Sequence, residues 1–213
     1  MLCFFFTKRV RKSVPTSLIE QPAVAHREPT GPIMSKRVRK YKPVCAITWK
    51  RSPNQSTRNG KKPEFIILHH TGSDSFNGGV SWLCQKRAKA SAHFIVDRVF
   101  QSNGTVKVVQ LVKIDRKAWH AGRAYWKGDR NINAKSIGIE MVSKGKYFTK
   151  AHYEATAELC AKYMKLYDIP EEKILGHYQV SPKRKWDPGT PPKGDWNWAK
   201  FSKLLKKKLK KMP

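Results

Sequence analysis

Short apolar segments alternate with segments of helical periodicity through residues 64–211 of this chain. The first apolar segment, Phe65-Ile66-Ile67-Leu68, is continuous and too short for an amphipathic helix, so it predicts a buried strand. Four further strands are predicted, at 92–100, 106–112, 136–142 and 174–175. A turn at Asn103-Gly104 indicates that the strands at 92–100 and 106–112 form a hairpin-like pair.

Three segments between and after these strands are predicted to be helices, at 81–90, 149–167 and 196–211. The first follows Gly78-Gly79, which is interpreted as a turn. The second has Thr149 as an N-cap and keeps apolar residues at helical spacing up to Tyr167. Because strands alternate with helices, the sequence predicts an α/β fold: a mixed central β-sheet flanked by helices, in a single domain.

The composition changes near residue 63. Residues 1–63 contain seven prolines, little periodic apolar pattern, and the string Lys-Arg-Val-Arg-Lys at both 8–12 and 36–40. They predict a basic, flexible N-terminal arm; a true translation start at Met34 is an alternative that the sequence leaves open. The compact domain is predicted at 64–195, and 196–213 is predicted to be a cationic amphipathic helix with seven lysines between Lys200 and Lys211.

The charge balance favours polyanionic partners. The 213 residues contain 44 Lys and Arg against 15 Asp and Glu, a formal net charge of +29. Such a surface attracts nucleic acid, anionic membranes or phosphate-rich wall polymers, and charge alone does not choose among them. The basic arm lacks interleaved aromatic residues, so no specific nucleic-acid partner is expected.

Targeting and cysteine signals are weak. No window reaches the roughly 18 apolar residues of a membrane span, and Met1–Phe6 is too short for a signal-peptide core. We therefore expect synthesis in the cytoplasm without a signal peptide. The four cysteines show no C-x-x-C spacing, which argues against a disulfide framework or a Cys-only zinc site and favours free thiols.

Three residues that are far apart in the sequence are candidates for chemistry: His69, His177 and Asp187. Both histidines follow predicted strands, and sites in α/β folds gather at strand ends. Two imidazoles and a carboxylate are a normal catalytic zinc set that leaves one position for water. A single histidine is more often structural than a ligand. Because successive strand side chains point to opposite faces, only one of His69 and His70 should reach a given metal.

Five segments occur in an informative order: 65–72 (Phe-Ile-Ile-Leu-His-His-Thr-Gly), 91–96 (Ser-Ala-His-Phe-Ile-Val), 118–122 (Ala-Trp-His-Ala-Gly), 133–140 (Asn-Ala-Lys-Ser-Ile-Gly-Ile-Glu), and 176–189, which runs from Gly-His to Lys-Trp-Asp-Pro-Gly. This order closely resembles the N-acetylmuramoyl-L-alanine amidase domain shared by small phage endolysins, bacterial wall-recycling amidases and animal peptidoglycan recognition proteins. The resemblance covers roughly residues 64–190 and implies the fold of that family.

The resemblance also implies roles for particular residues. It implies one Zn²⁺ per chain, with His69, His177 and Asp187 as ligands. Of the pair His69 and His70, it selects His69. It matches Glu140 to a glutamate that helps to activate water, and Lys185 to a basic residue expected to stabilise the oxyanion. Ala92 is a departure, because some phage enzymes have a catalytic tyrosine there, and this places more weight on Glu140.

Four further residues lie within these motifs, and we expect them to line the substrate groove: His93, His120, Trp119 and Thr71. For His93 and His120 the alternative is a structural role or the orientation of metal ligands. The implied reaction is hydrolysis of the amide between N-acetylmuramic acid and L-alanine in peptidoglycan, by a monomer acting at the cell wall in the manner of an endolysin. A cytoplasmic recycling enzyme is also compatible.

Two other functions stay open: a non-catalytic peptidoglycan-binding module, and a cationic envelope- or nucleic-acid-binding protein on the same scaffold. The C-terminal helix is expected either to pack on the domain with a solvated lysine face or to contact anionic membrane or wall polymer.

Overall fold

Ten strands and five helices follow one another along residues 41–213, the part of the chain that the computed structural model describes. The strands are β1 (Cys45–Trp49), β2 (Gln55–Thr57), β3 (Phe65–His70), β4 (Phe94–Phe100), β5 (Val106–Gln110), β6 (Arg116–Ala118), β7 (Tyr125–Trp126), β8 (Asp129–Arg130), β9 (Ser136–Met141) and β10 (Ile174–Gly176). The helices are α1 (Phe76–Leu83), α2 (Ile132–Lys135), α3 (Lys150–Tyr167), α4 (His177–Val180) and α5 (Trp198–Lys211).

Six of the strands form one mixed sheet in the order β1-β5-β4-β9-β3-β10. The pair β4 and β5 is antiparallel, while β1 with β5, β4 with β9, β9 with β3, and β3 with β10 are parallel. Two small ladders, β2 with β6 and β7 with β8, lie outside this sheet. The predicted α/β class with a mixed central sheet is confirmed, as is the pairing of the strands around Asn103-Gly104.

The two faces of the central strands have different partners. Ile66 and Leu68 of β3 and Ile137 and Ile139 of β9 are fully buried in the main core, together with apolar residues of α3 and α5. Within that core, the ring of Trp196 stacks on Tyr153 at a centroid distance of 4.5 Å. Since strand side chains alternate, the other face of β3 and β9 carries the residues between these.

Helix α3 begins where the sequence predicts it. The Thr149 side chain accepts a hydrogen bond from the backbone N–H of His152, and the helix ends at Asp168 in a left-handed conformation. This N-cap satisfies one of the donors that an α-helix leaves free at its start. The predicted span 149–167 is therefore confirmed.

Helix α1 lies earlier than predicted. Ser75 caps it by accepting a hydrogen bond from the backbone N–H of Gly78, so Gly78 and Gly79 lie inside the helix rather than in a turn before it. The helix ends at Leu83, and a short 3-10 turn at Lys86–Ala88 follows. The capping serine outweighs the low helix propensity of the two glycines.

The predicted boundary at residue 63 differs from the structure. Strand β1 pairs along its whole length with β5, from Cys45 opposite Val106 to Trp49 opposite Gln110. Arg58 is also buried and donates hydrogen bonds to the carbonyl groups of Ile114, Ala134 and Ser136. Residues 41–63 thus belong to the folded unit. The predicted boundary was wrong because strand pairing across about 60 residues leaves no local sequence pattern. The predicted arm over residues 1–40, with both basic strings and Met34, lies outside the described residues.

Helix α5 packs on the domain rather than extending from it. Phe201 and Leu205 are buried in the main core, and Lys208 is buried with ion pairs to Glu154 and Glu158 of α3. Among residues 41–213, no helix combines the length and the apolar character that crossing a membrane requires. Three cysteines of this part, Cys45, Cys84 and Cys160, are free thiols, as predicted.

Candidate metal and catalytic site

The strand pair β3 and β9 builds the floor of the candidate site. On the face away from α3, β3 presents Phe65, Ile67 and His69, and β9 presents Ser136, Gly138 and Glu140 in the matching register. His69 is thus directly opposite Glu140 at the carboxyl ends of two parallel strands. This placement explains the motif Ser-Ile-Gly-Ile-Glu, in which the isoleucines enter the core and the other residues face the site.

His69, His177 and Asp187 converge at this edge of the sheet. The Nδ1 atoms of His69 and His177 are 3.0 Å apart, and Asp187 Oδ2 lies 3.1 Å from the first and 3.0 Å from the second. His177 comes from the start of α4, directly after β10, and Asp187 comes from the following loop. All three residues are buried, and their ligand atoms could hold one metal ion.

Hydrogen bonding indicates the tautomer of His177. Its Nε2 lies 3.1 Å from the carbonyl oxygen of Ala121, which can only accept, so Nε2 carries the proton. In the neutral ring, the Nδ1 atom then has a lone pair directed at Asp187. Burial, together with the neighbouring His177, lowers the pKa of His69 to about 4, which keeps that ring neutral near pH 7. Neutral imidazoles and a carboxylate that converge in this way fit a divalent cation.

A cavity of about 410 Å³ opens over the three residues. Glu140 lines it, and its Oε2 atom is buried without a hydrogen-bond partner among the described residues. Burial, and next the charge of Asp187, raise the pKa of Glu140 to about 8, although Lys185 opposes the shift. A carboxyl group with a pKa near neutrality, facing a cavity, is suited to accept and return protons.

Three other candidate residues also line this cavity: the exposed Lys185, the half-buried Thr71 and His120. His70 lines it too but does not join the three converging residues. Its Nδ1 accepts a hydrogen bond from the backbone N–H of Gly72, and its ring packs on Trp186. The expectation that only one histidine of the pair reaches the metal agrees with this geometry.

Two candidate residues do not reach the cavity. His93 is fully buried beneath it, with Nδ1 accepting from the backbone N–H of Gly138 and Nε2 at 3.1 Å from the Arg116 carbonyl oxygen. Trp119 is partly exposed, but its indole N–H donates to Ser56 on the neighbouring ladder. Neither side chain lines this cavity. The alternative role for His93, orienting ligands, stays a prediction, as does substrate contact by Trp119. His93 contacts β9 through the hydrogen bond from Gly138, and its ring lies 5.8 Å from that of His120, centroid to centroid.

The large side chains of the cavity wall that the sequence did not single out are Trp82, Arg184 and Trp186. Trp186 is 40% exposed although it lies between Lys185 and Asp187. A Cβ at Gly145 or Gly189 would lie 2.5 Å or 2.8 Å from its ring, so these glycines leave room for the indole. The sequence signal for Trp186 was its position within the Lys-Trp-Asp-Pro-Gly motif. Trp82 and Arg184 had no signal beyond their residue type.

Comparison with known proteins agrees with this arrangement. The sequence profile described as N-acetylmuramoyl-L-alanine amidase matches residues 59–190. The chain is 33% identical to N-acetylmuramoyl-L-alanine amidase AmiD of Escherichia coli K12 over 135 residues, which are 58% of this chain and 48% of AmiD. It is 39% identical to 1,6-anhydro-N-acetylmuramyl-L-alanine amidase AmpD of Haemophilus influenzae over 120 residues, 55% of this chain and 60% of AmpD. The aligned part thus spans about half of each of these relatives.

The solved structures give the same fold. One of them, E. coli AmiD in complex with the substrate anhydro-N-acetylmuramic acid-L-Ala-D-γ-Glu-L-Lys, superposes with a TM-score of 0.60 at 27% identity, covering 73% of this chain and 60% of that one. The family profile covers more than half of the chain and spans His69, His177, Asp187 and Glu140. This chain belongs to the N-acetylmuramoyl-L-alanine amidase family.

Proposed function

We propose that this protein is a zinc-dependent hydrolase that cuts the amide bond between N-acetylmuramic acid and L-alanine in peptidoglycan. The observation that carries the proposal is the convergence of His69, His177 and Asp187 at the base of a cavity that Glu140 and Lys185 also line. The substrate bound in the AmiD complex contains this kind of amide, which supports the same substrate class here.

The donor set of two neutral imidazoles and one carboxylate would hold the zinc ion. When bound, zinc supplies the chemistry of a Lewis acid, which polarises an amide carbonyl and makes water more acidic. Glu140 would accept a proton from the attacking water and return it to the leaving L-alanine nitrogen. The ammonium group of Lys185 would stabilise the negative charge that develops on the carbonyl oxygen, a contribution of about 10²–10³ in rate for such a donor.

The test is digestion of purified peptidoglycan followed by mass analysis of the products. We expect free L-alanine amino termini, loss of activity with a chelator, and recovery with zinc. Glu140→Ala should keep zinc but lose most of the activity, on the order of 10²-fold or more. Cleavage of another bond, chelator-resistant activity, or near-normal activity of Glu140→Ala would each contradict part of this assignment.

The competing proposal of a non-catalytic binding module has less support, because all three metal-ligand positions and Glu140 are filled in this chain. Wall degradation of the endolysin type is the setting that we propose, since the strongly cationic chain suits an anionic wall. Comparing the rates at which the protein cleaves intact wall and soluble muropeptides tests this setting. Preference for soluble muropeptides would favour a recycling role.

We further propose that the exposed lysines of α5 contact an anionic wall polymer. The packing of α5 supports this proposal, because its apolar side lies against α3 and is not free to enter a lipid bilayer. The exposed lysines are Lys200, Lys203, Lys207, Lys210 and Lys211. Binding through charge alone fits a phosphate-bearing polymer better than insertion into a membrane.

A further inference from the structure

The segment His120-Ala121 contacts both histidines of the candidate metal site. The Nδ1 atom of His120 lies 3.0 Å from Nε2 of His69, and the carbonyl oxygen of Ala121 lies 3.1 Å from Nε2 of His177. Each imidazole therefore meets the same two-residue segment on the ring nitrogen that faces away from Asp187. A side chain contacts the first histidine and a backbone carbonyl contacts the second.

The direction of the hydrogen bonds on the His69 side follows from counting protons. The Ser136 hydroxyl lies 2.6 Å from the carbonyl oxygen of Ile132, which can only accept, so its single proton is used there. Ser136 Oγ must then accept from His120 Nε2, at 3.0 Å. Because a neutral imidazole has one N–H, His120 Nδ1 accepts, and the proton between His120 and His69 belongs to His69 Nε2.

The same segment is held in place by the motif at 133–140. The side-chain oxygen of Asn133 accepts hydrogen bonds from the backbone N–H groups of His120, at 3.2 Å, and Ala121, at 2.8 Å. Gly138 leaves the space that the His120 ring occupies, since a Cβ there would collide with that ring. Ser136 and His120 are buried, so water cannot easily replace these contacts.

We propose that Asn133, Ser136 and His120 are positioning residues that fix both metal-binding histidines in the tautomer with Nε2 protonated and the Nδ1 lone pair free. We call His120-Ala121 the bracket, because this segment contacts both histidines. Asn133 holds its backbone, and Ser136 determines which ring nitrogen of His120 carries the proton. This inference rests on the proposed zinc site. It goes further in assigning part of the affinity for the metal to three residues outside the set of ligands.

The experiment measures zinc affinity by competition with a chromophoric chelator. Ser136→Ala and His120→Leu remove the chain of hydrogen bonds, and Asn133→Ala releases the backbone, so each should weaken zinc binding by about 10-fold or more. His120→Asn, which keeps an acceptor oxygen near the position of Nδ1, should recover most of the affinity lost in His120→Leu. Thr156→Val is the matched control, because it deletes a buried hydroxyl on α3 that has no partner among the described residues.

A second readout needs no variant and no metal. Nitrogen-15 spectra of the histidines in the metal-free wild-type protein should show His69 and His177 protonated at Nε2. An unprotonated Nε2 on either ring, or equal zinc affinity of Ser136→Ala and Thr156→Val, would overturn the bracket. Failure of the wild-type protein to bind zinc would instead overturn the proposed function, while the tautomers would still test the bracket.

Discussion

At the scale of single residues, Glu140 is the side chain whose environment opposes its usual charge. Its Oε2 atom is buried without a partner among residues 41–213, and burial followed by the charge of Asp187 raises its pKa to about 8. Below the pKa of an unfolded glutamate, near 4.3, the carboxyl group is protonated in both states. Above it the unfolded chain releases the proton first, so the native state loses stability as the pH rises towards 8.

Glu140→Gln should therefore remove a pH dependence from the metal-free protein. Between pH 5 and pH 8, the free energy of unfolding of the wild type should fall relative to the variant by more than about 1 kcal/mol, since one pKa unit corresponds to about 1.4 kcal/mol. Urea denaturation of both proteins in the presence of a chelator measures this. Using the difference removes the contributions of the buried histidines, and parallel curves would show that Glu140 titrates normally.

The residues that carry chemistry were predictable only as far as the motifs extended. His69, His177, Asp187 and Glu140 could be selected from the sequence, and the structure brings them together. The positioning role of Asn133 and Ser136 could not be, because it depends on hydrogen bonds to a segment 12 to 16 residues away. Neither could the burial of His93, since residue type does not say on which side of a strand the cavity lies.

At the scale of elements, Glu158 of α3 links both ends of the described chain. It accepts hydrogen bonds from the Tyr41 hydroxyl and from the backbone N–H groups of Val44 and Cys45, at the start of β1. It also lies 3.5 Å from the buried Nζ of Lys208 on α5. A single carboxylate thus connects the edge strand, the long helix and the last helix.

Removing this carboxylate should destabilise the fold strongly. Glu158→Ala leaves the backbone N–H groups of Val44 and Cys45 without their acceptor and removes one of the two carboxylates beside the buried Lys208. An unsatisfied buried donor costs about 1–3 kcal/mol, so we expect a loss of a few kcal/mol. Glu154→Gln is the matched control, because it removes the other carboxylate next to Lys208 and leaves Glu158 in place. Urea denaturation would contradict the role of Glu158 if both variants lost the same stability.

Glu158 also explains why the domain boundary was not predictable. Strands β3, β4, β5 and β9 carry their own apolar patterns, and α3 carries its own cap, so local rules were sufficient for them. Strand β1 is half-buried to exposed, and its place at the edge of the sheet depends on β5 and on one glutamate more than 100 residues later. Such contacts have no signature in a local window.

At the scale of the whole molecule, the charge of +29 is distributed unevenly. Helix α5 has seven lysines and no acidic residue, with one of them buried against α3 and another paired with Glu171. The remaining five, Lys200, Lys203, Lys207, Lys210 and Lys211, are exposed and form no ion pair with other residues of the described part of the chain. At 1.5 Å per residue, this lysine face is about 16 Å long.

If the lysine face binds an anionic wall polymer, affinity should depend on where the charges lie and not only on their number. Replacing Lys203, Lys207, Lys210 and Lys211 by Gln should weaken binding to poly(glycerol phosphate) by about 10-fold or more and flatten the salt dependence, because fewer counterions are released on binding. The control replaces four exposed lysines elsewhere, Lys42, Lys50, Lys61 and Lys113, and lowers the net charge equally. Equal losses in the two variants, or tighter binding to anionic vesicles than to the polymer, would contradict the assignment. Cleavage of small soluble muropeptides should stay unchanged in both variants, since the lysines of α5 do not line the cavity over His69, His177 and Asp187.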